Sequence, residues 1–108
     1  MFLKVSTTSF PNWTRANGKT TLYKITYTDK FRKQYSKFQE KEKRQIKNKI
    51  KLLVQNPMYP SLRTKRIKGI TDLFETSVNM DIRIIWYYEQ DRIIMLVDIG
   101  HHHILRHY

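Results

Sequence analysis

The chain has 108 residues, 21 Lys or Arg against 9 Asp or Glu, and a formal net charge of +12. That length allows one domain with one modest core, and a hydrophobic fraction of 40% is enough to fold it. The lack of cysteine excludes disulfides, thiolate zinc sites and cysteine nucleophiles. No apolar run approaches the roughly 20 residues of a membrane span, and no signal-peptide core follows Met1-Phe2-Leu3, so a cytoplasmic location is expected.

Residues 1–20 are rich in Ser, Thr and Asn, show no apolar period, and are expected to form an N-terminal extension pinned by Phe10 or Trp13. Leu22 to Tyr27, with β-branched and aromatic residues, is read as a strand. Thr28 or Asp29 caps a helix in which Phe31, Tyr35 and Phe38 recur at helical spacing. Ser36 divides this run into a short helix and a longer one. In the second, Glu40 to Val54, the residues Ile46, Ile50, Leu53 and Val54 share one stripe, with Lys43, Arg44, Lys47 and Lys51 opposite. Asn56-Pro57 ends the helix and Pro60 keeps the next segment irregular. Gly69 marks a turn. Three strands are then expected at Leu73–Val78, Ile82–Tyr88 and Arg92–Ile99, with links short enough for antiparallel hairpins. The order β-α-α-β-β-β predicts an α+β fold over residues 21–108: two N-terminal helices on one face of a small, mainly antiparallel sheet.

The positive charge points to a polyanion: nucleic acid, an acidic protein segment or a membrane surface. Basic residues crowd 29–52, where a solvated helix face explains them equally well. The run Arg63-Thr64-Lys65-Arg66-Ile67-Lys68 has no acid and is flanked by turn formers, which favours a contact surface. Strand alternation sends Ile82, Ile84, Trp86 and Tyr88 one way and Arg83, Ile85 and Tyr87 the other. Arg83 is thus read as a mid-strand cation, either in a structural ion pair or aimed at a phosphate. All four histidines, His101, His102, His103 and His107, follow the apolar stretch 93–99. They are solvated and idle, or metal-binding, or they transfer protons near neutral pH.

The segments Pro60 to Gly69, Phe74 to Trp86 and Asp98 to His102 together resemble the RelE/ParE superfamily of bacterial toxins, over about residues 22–108. The resemblance implies a toxin of a toxin–antitoxin pair. Most such toxins cut messenger RNA in the ribosomal decoding site, while the ParE branch poisons DNA gyrase. It implies that Arg83 grips the scissile phosphate and that Arg63, Lys65, Arg66 and Lys68 form the basic loop. The family ending Gly-x-His-Asp reads here Gly100-His101-His102-His103, so His102 matches the histidine and His103 replaces the acid. Tyr108 corresponds to an aromatic residue that stacks a base. Proton transfer falls to His102, with Lys65 as the competing carrier; Arg63, Arg66, Lys68, His103 and Tyr108 are the expected RNA contacts. The partners implied are an acidic antitoxin and messenger RNA on the ribosome. Apart from the resemblance, imidazoles and cations without a carboxylate cluster or a glycine-rich phosphate loop suit RNA cleavage without metal or cofactor, by 2′-hydroxyl attack. The alternative is a non-catalytic toxin that inhibits a protein target such as gyrase, or a degenerate one that only binds its antitoxin.

Overall fold

The structure, a computed structural model, describes residues 23–67, 72–90 and 92–108. The expectations for residues 1–20, Leu22, Lys68 and Gly69 fall outside that set.

Strand β1 (Lys24–Tyr27) buries Ile25 and Tyr27 in alternation. Thr28 then starts helix α1 (Asp29–Ser36): its hydroxyl accepts from the Phe31 N–H at 3.0 Å and donates to the Val97 carbonyl at 2.7 Å. A good N-cap is worth about 1 kcal/mol, and this one also ties the helix to the sheet. Ser36 turns its hydroxyl back onto the Lys33 carbonyl at 2.7 Å, competing with the helix ladder where α1 stops. Helix α2 (Glu40–Gln55) opens with the Glu42 carboxylate accepting from the Gln39 N–H at 3.0 Å. Its stripe of Ile46, Ile50, Leu53 and Val54 is buried, as the periodicity requires.

The sheet has five strands in the order β1-β5-β4-β3-β2, with β2 (Lys65–Arg66), β3 (Phe74–Ser77), β4 (Ile82–Gln90) and β5 (Ile93–His101). All neighbours run antiparallel except β1 and β5, which are parallel. The expected α+β arrangement is present, with three additions. The basic run contributes a two-residue strand, too short for any period to reveal. Pro60–Leu62 and His102–His107 form 3-10 helices. Arg83 is the second residue of β4, near the start of the strand as its expected bounds already placed it, rather than at its middle; β4 starts at Ile82 as expected and runs on to Gln90.

Both faces of the sheet are covered. On one, α1 and α2 pack Phe31, Ile46, Ile50 and Leu53 against Ile84, Trp86, Leu96 and Ile99. On the other, Ile67, Ile85 and Ile104 form a smaller cluster, with Val97, Leu105 and Tyr108 against it. The tail helix His102–His107 is therefore the lid of a second, minor core. A bulge sets the phase: Ile85 pairs with Asp98 but Trp86 pairs with Leu96, so Val97 is the extra residue in β5. Ile94 and Leu96 face the helices before the bulge and Ile99 does so after it. Gly100 consequently lies opposite Arg83, on the tail side. A Cβ at Gly100 would collide with Cγ2 of Ile104, so glycine permits the tail to lie flat on the strand.

Gly100→Ala should therefore destabilise the fold by about 1–3 kcal/mol through overpacking. Combined with Ile104→Ala, which removes the colliding methyl, the cost should fall well below the sum of the single costs. Urea unfolding of the four proteins of this cycle checks it. Strict additivity would mean that Ile104 does not rest on Gly100.

Candidate functional site

The connection between β3 and β4 organises the site. The Asn79 side-chain oxygen accepts from the backbone N–H groups of Asp81 and Ile82, at 2.8 and 2.7 Å. Its amide nitrogen donates to the Gln45 side chain of α2 at 2.9 Å, which pins the turn to the helix layer. Its backbone carbonyl accepts from the Arg83 guanidinium at 2.8 Å. A single asparagine thus shapes the turn and aims two candidate side chains, Asp81 and Arg83. Asparagine suits this place because its short amide can close turns of its own backbone.

Arg83 also donates to the Ile82 carbonyl at 3.2 Å, and its Nε lies 3.7 Å from the Glu75 carboxylate. The other Glu75 oxygen is 3.6 Å from the Lys65 ammonium. Sheet register explains the grouping: Lys65 pairs with Glu75, Glu75 with Ile85, and Ser77 with Arg83, so these side chains emerge on the tail face. The Lys65 side chain is 71% exposed, whereas those of Arg83 and Glu75 are 19% and 8% exposed. An exposed ion pair contributes at most about 1 kcal/mol, so Lys65 is the mobile arm of the trio and Arg83 the fixed one.

The histidines gather on Asp81. Its two oxygens accept from His101 Nδ1 at 2.5 Å and from His102 Nδ1 at 3.1 Å, and the His102 N–H approaches at 3.4 Å. Hydrogen bonds from His101 and then His102 hold the Asp81 carboxyl at about 2, below its usual 3.8. An ionised carboxylate can only accept. Nδ1 of both rings therefore carries a proton, and Nε2 of His102 is the nitrogen left to exchange one. His103 stands where the resembling family has an acid, and here a carboxylate reaches the His102 ring from a different strand end, at Asp81. His103 lies parallel to the His101 ring, 6.0 Å away, and edge-on to His102 at 5.9 Å. His101 also packs on Phe38, at 5.7 Å.

The remaining expected residues separate. Arg63 follows the first 3-10 helix with φ of 50° and lines a groove of about 310 Å³ beside Arg83. Arg66 pairs with Phe74, a residue of the helix-side core, and lies over its ring at 5.3 Å. Strand alternation therefore splits the basic run: Lys65 faces Arg83 and Arg66 does not. Tyr108 is half-buried. Its hydroxyl donates to Asp98 at 2.8 Å, and Lys30 pairs with the same carboxylate at 3.2 Å. Burial, and then the Asp98 bond, push the Tyr108 hydroxyl up from its ordinary value. In this arrangement the tyrosine is a latch for the tail rather than an open stacking platform. Among the described residues, no group of three or more His, Asp or Glu is placed to hold a metal ion.

Sequence reasoning missed Asp81, Glu75 and Asp98. Asp81 was legible only as part of a tight connection. The single usable signal was register: Ile82 pairs with His101, which brings the turn to the histidines.

The Asp81 contact gives a pH test. A carboxylate depressed in the folded state stabilises above its unfolded pKa and loses that contribution as pH falls through the folded value. The tail-to-turn contact should thus be intact above about pH 4 and fade towards the Asp81 value of about 2. The His102 amide shift, followed by NMR, should titrate with that low midpoint in the parent and lose the step in Asp81→Asn. A midpoint near 3.8 would contradict the clamp.

At the level of sequence, no protein-family model and no curated protein matches the chain. Solved structures do. The RelE of the archaeal RelE–RelB complex from Pyrococcus horikoshii superposes with a TM-score of 0.63 at 15% identity, over 74% of this chain and 94% of that one. The E. coli DinJ–YafQ toxin–antitoxin complex matches with a TM-score of 0.64 at 19% identity, over 78% and 97%. The YoeB of the Staphylococcus aureus dimer gives 0.64 at 18%, over 77% and 99%. The chain has the fold of the RelE, YafQ and YoeB toxins.

Proposed function

We propose that this protein is the toxin of a toxin–antitoxin pair and cuts messenger RNA on the ribosome, without metal. The observation that carries the reading is the β3–β4 turn, which holds the Arg83 guanidinium through the Asn79 carbonyl and the His102 imidazole through the Asp81 carboxylate, with Arg83 paired to Gly100 two residues before His102.

The nucleophile is the substrate's own 2′-hydroxyl. It attacks the adjacent phosphorus as its proton passes to a base. The bond to the 5′-oxygen breaks, and that oxygen takes a proton, leaving a 2′,3′-cyclic phosphate and a free 5′-hydroxyl. Arg83 neutralises the charge that builds on the phosphate oxygens, a role that favours a cation already fixed in place. Nε2 of His102 moves one proton, and the Asp81 carboxylate steadies the imidazolium when it forms. Lys65 is the competing proton carrier and is free to swing to the substrate. A phosphate arriving at Arg83 and Lys65 must displace their shared contact with Glu75. Arg63 and His103 flank this centre as RNA contacts, and Arg66 and Tyr108 are more distant ones.

The fold neighbours RelE and YafQ are seen in complexes with RelB and DinJ. This chain, with its charge of +12, suits an antitoxin segment rich in acids that lies over the tail face and covers Arg83.

The test is in-vitro translation with added protein, followed by mapping of message ends. Arg83→Ala should abolish cutting and toxicity with the fold intact by circular dichroism. His102→Ala should lower the cutting rate by about 10²-fold or more. Normal cutting by His102→Ala together with loss in Lys65→Ala would move the proton to the lysine. Growth arrest by the parent and all variants with no cut RNA would replace the nuclease by an inhibitor of a protein target.

A further inference from the structure

The groove beside Arg83 has an unusual wall. Three cations reach it from three separate elements: Lys49 from α2, Arg63 from the end of the first 3-10 helix, and Arg83 from β4. No Asp or Glu lines it. Lys65 and Arg83 share Glu75, but neither Lys49 nor Arg63 has a carboxylate within ion-pair reach among the described residues. At its rim stands Met80, 93% exposed, the most exposed large apolar side chain described. Its volume of about 310 Å³ is at the lower end of small-ligand pockets, which run from roughly 300 to 1,000 Å³.

Uncompensated cations around a concavity call for an anion, and a solvent-exposed thioether calls for a flat apolar surface. An acidic peptide would satisfy the cations and leave Met80 idle. One nucleotide of a single-stranded RNA satisfies both, since the phosphate meets the cations and the base meets the methionine. We infer that this groove is a subsite for the nucleotide next to the phosphate held by Arg83, with Lys49 and Arg63 on its phosphate and Met80 against its base. The placement beside a cleavage point rests on the nuclease reading; the binding does not. Asn79 has its side-chain oxygen engaged by Asp81 and Ile82 and its amide nitrogen by Gln45. One N–H of Asn79 and the hydroxyls of Ser61 and Ser77 remain to meet base edges, and hydroxyls that both donate and accept let the subsite take different bases.

Binding to the full chain decides it. The probe is a fluorescent five-nucleotide RNA with 2′-O-methyl riboses, which cannot be cut, and its comparison is inorganic polyphosphate of similar charge. Lys49→Ala should weaken RNA about threefold to tenfold and reduce the log–log salt slope by about 0.7. Lys51→Ala, on the solvated side of α2, should change neither. Met80→Ala should weaken RNA and spare polyphosphate. Equal effects of the two lysine variants would make the groove ordinary surface and overturn the inference. So would a Met80→Ala that treats RNA and polyphosphate alike, or Lys49-dependent binding of polyglutamate with none of RNA. RNA binding that depends on Lys49 and Met80 by a protein that leaves messages uncut would sink the nuclease reading and uphold the subsite.

Discussion

Two hydrogen bonds accepted by one side-chain oxygen hold the candidate site together. Asn79 closes the β3–β4 turn on the N–H groups of Asp81 and Ile82. From that closure follow the carboxylate under the histidines, the carbonyl under Arg83 and, through Gln45, the distance of both from α2. The hydroxyl chemistry deeper in the sheet serves the same end. Thr76 accepts from the Trp86 indole at 2.8 Å and shares a hydrogen bond with Thr64 at 2.8 Å, locking β2, β3 and β4 side by side. Turn and strands together are a rigid frame, the kind of support that a reacting group needs if it is to stay placed without cost at the moment of reaction.

The charge balance of the tail face is local rather than global. In a chain with such a surplus of bases, two buried carboxylates, Glu75 and Asp98, sit beneath the cations that matter. A buried acid is tolerated because it is paired, and removing its partner leaves a costly lone charge. Glu75 lies 3.7 Å from the Arg83 Nε and 3.6 Å from the Lys65 ammonium. Asp98 collects the Tyr108 hydroxyl, the Lys30 ammonium and the Ile99 N–H, so the tail, α1 and β5 meet on one carboxylate. The excess positive charge is left for the exposed faces, where it steers encounters with polyanions.

The layer order and helix contents were legible because they depend on local periodicity. Ile46, Ile50, Leu53 and Val54 recur at helical spacing and are buried together. The alternation of Ile82, Ile84 and Trp86 also reads directly as a core face. What escaped depends on pairing between distant segments. The bulge at Val97 changes which residues of β5 face which side, and no pattern within β5 announces it. Arg66 looks like a neighbour of Lys65 in any linear reading, yet one residue of strand separates two faces of a sheet. Lys49 reads as one more solvated lysine until the groove brings it to Arg63. Asp81 reads as a turn former until Ile82 is paired with His101.

The place of β5 in the sheet has a consequence for synthesis. Among the described strands β1 is made first, but its one neighbour there is β5, made last. While the chain is still emerging, β1 and the helices behind it have an exposed edge, and the hairpins of β2, β3 and β4 have no link to them. Non-local pairing of this kind is slow and leaves incomplete chains unprotected. The same segment carries Gly100, the histidines and Asp98. The candidate site is therefore incomplete while the chain is being made, and is assembled only when β5 slots between β1 and β4.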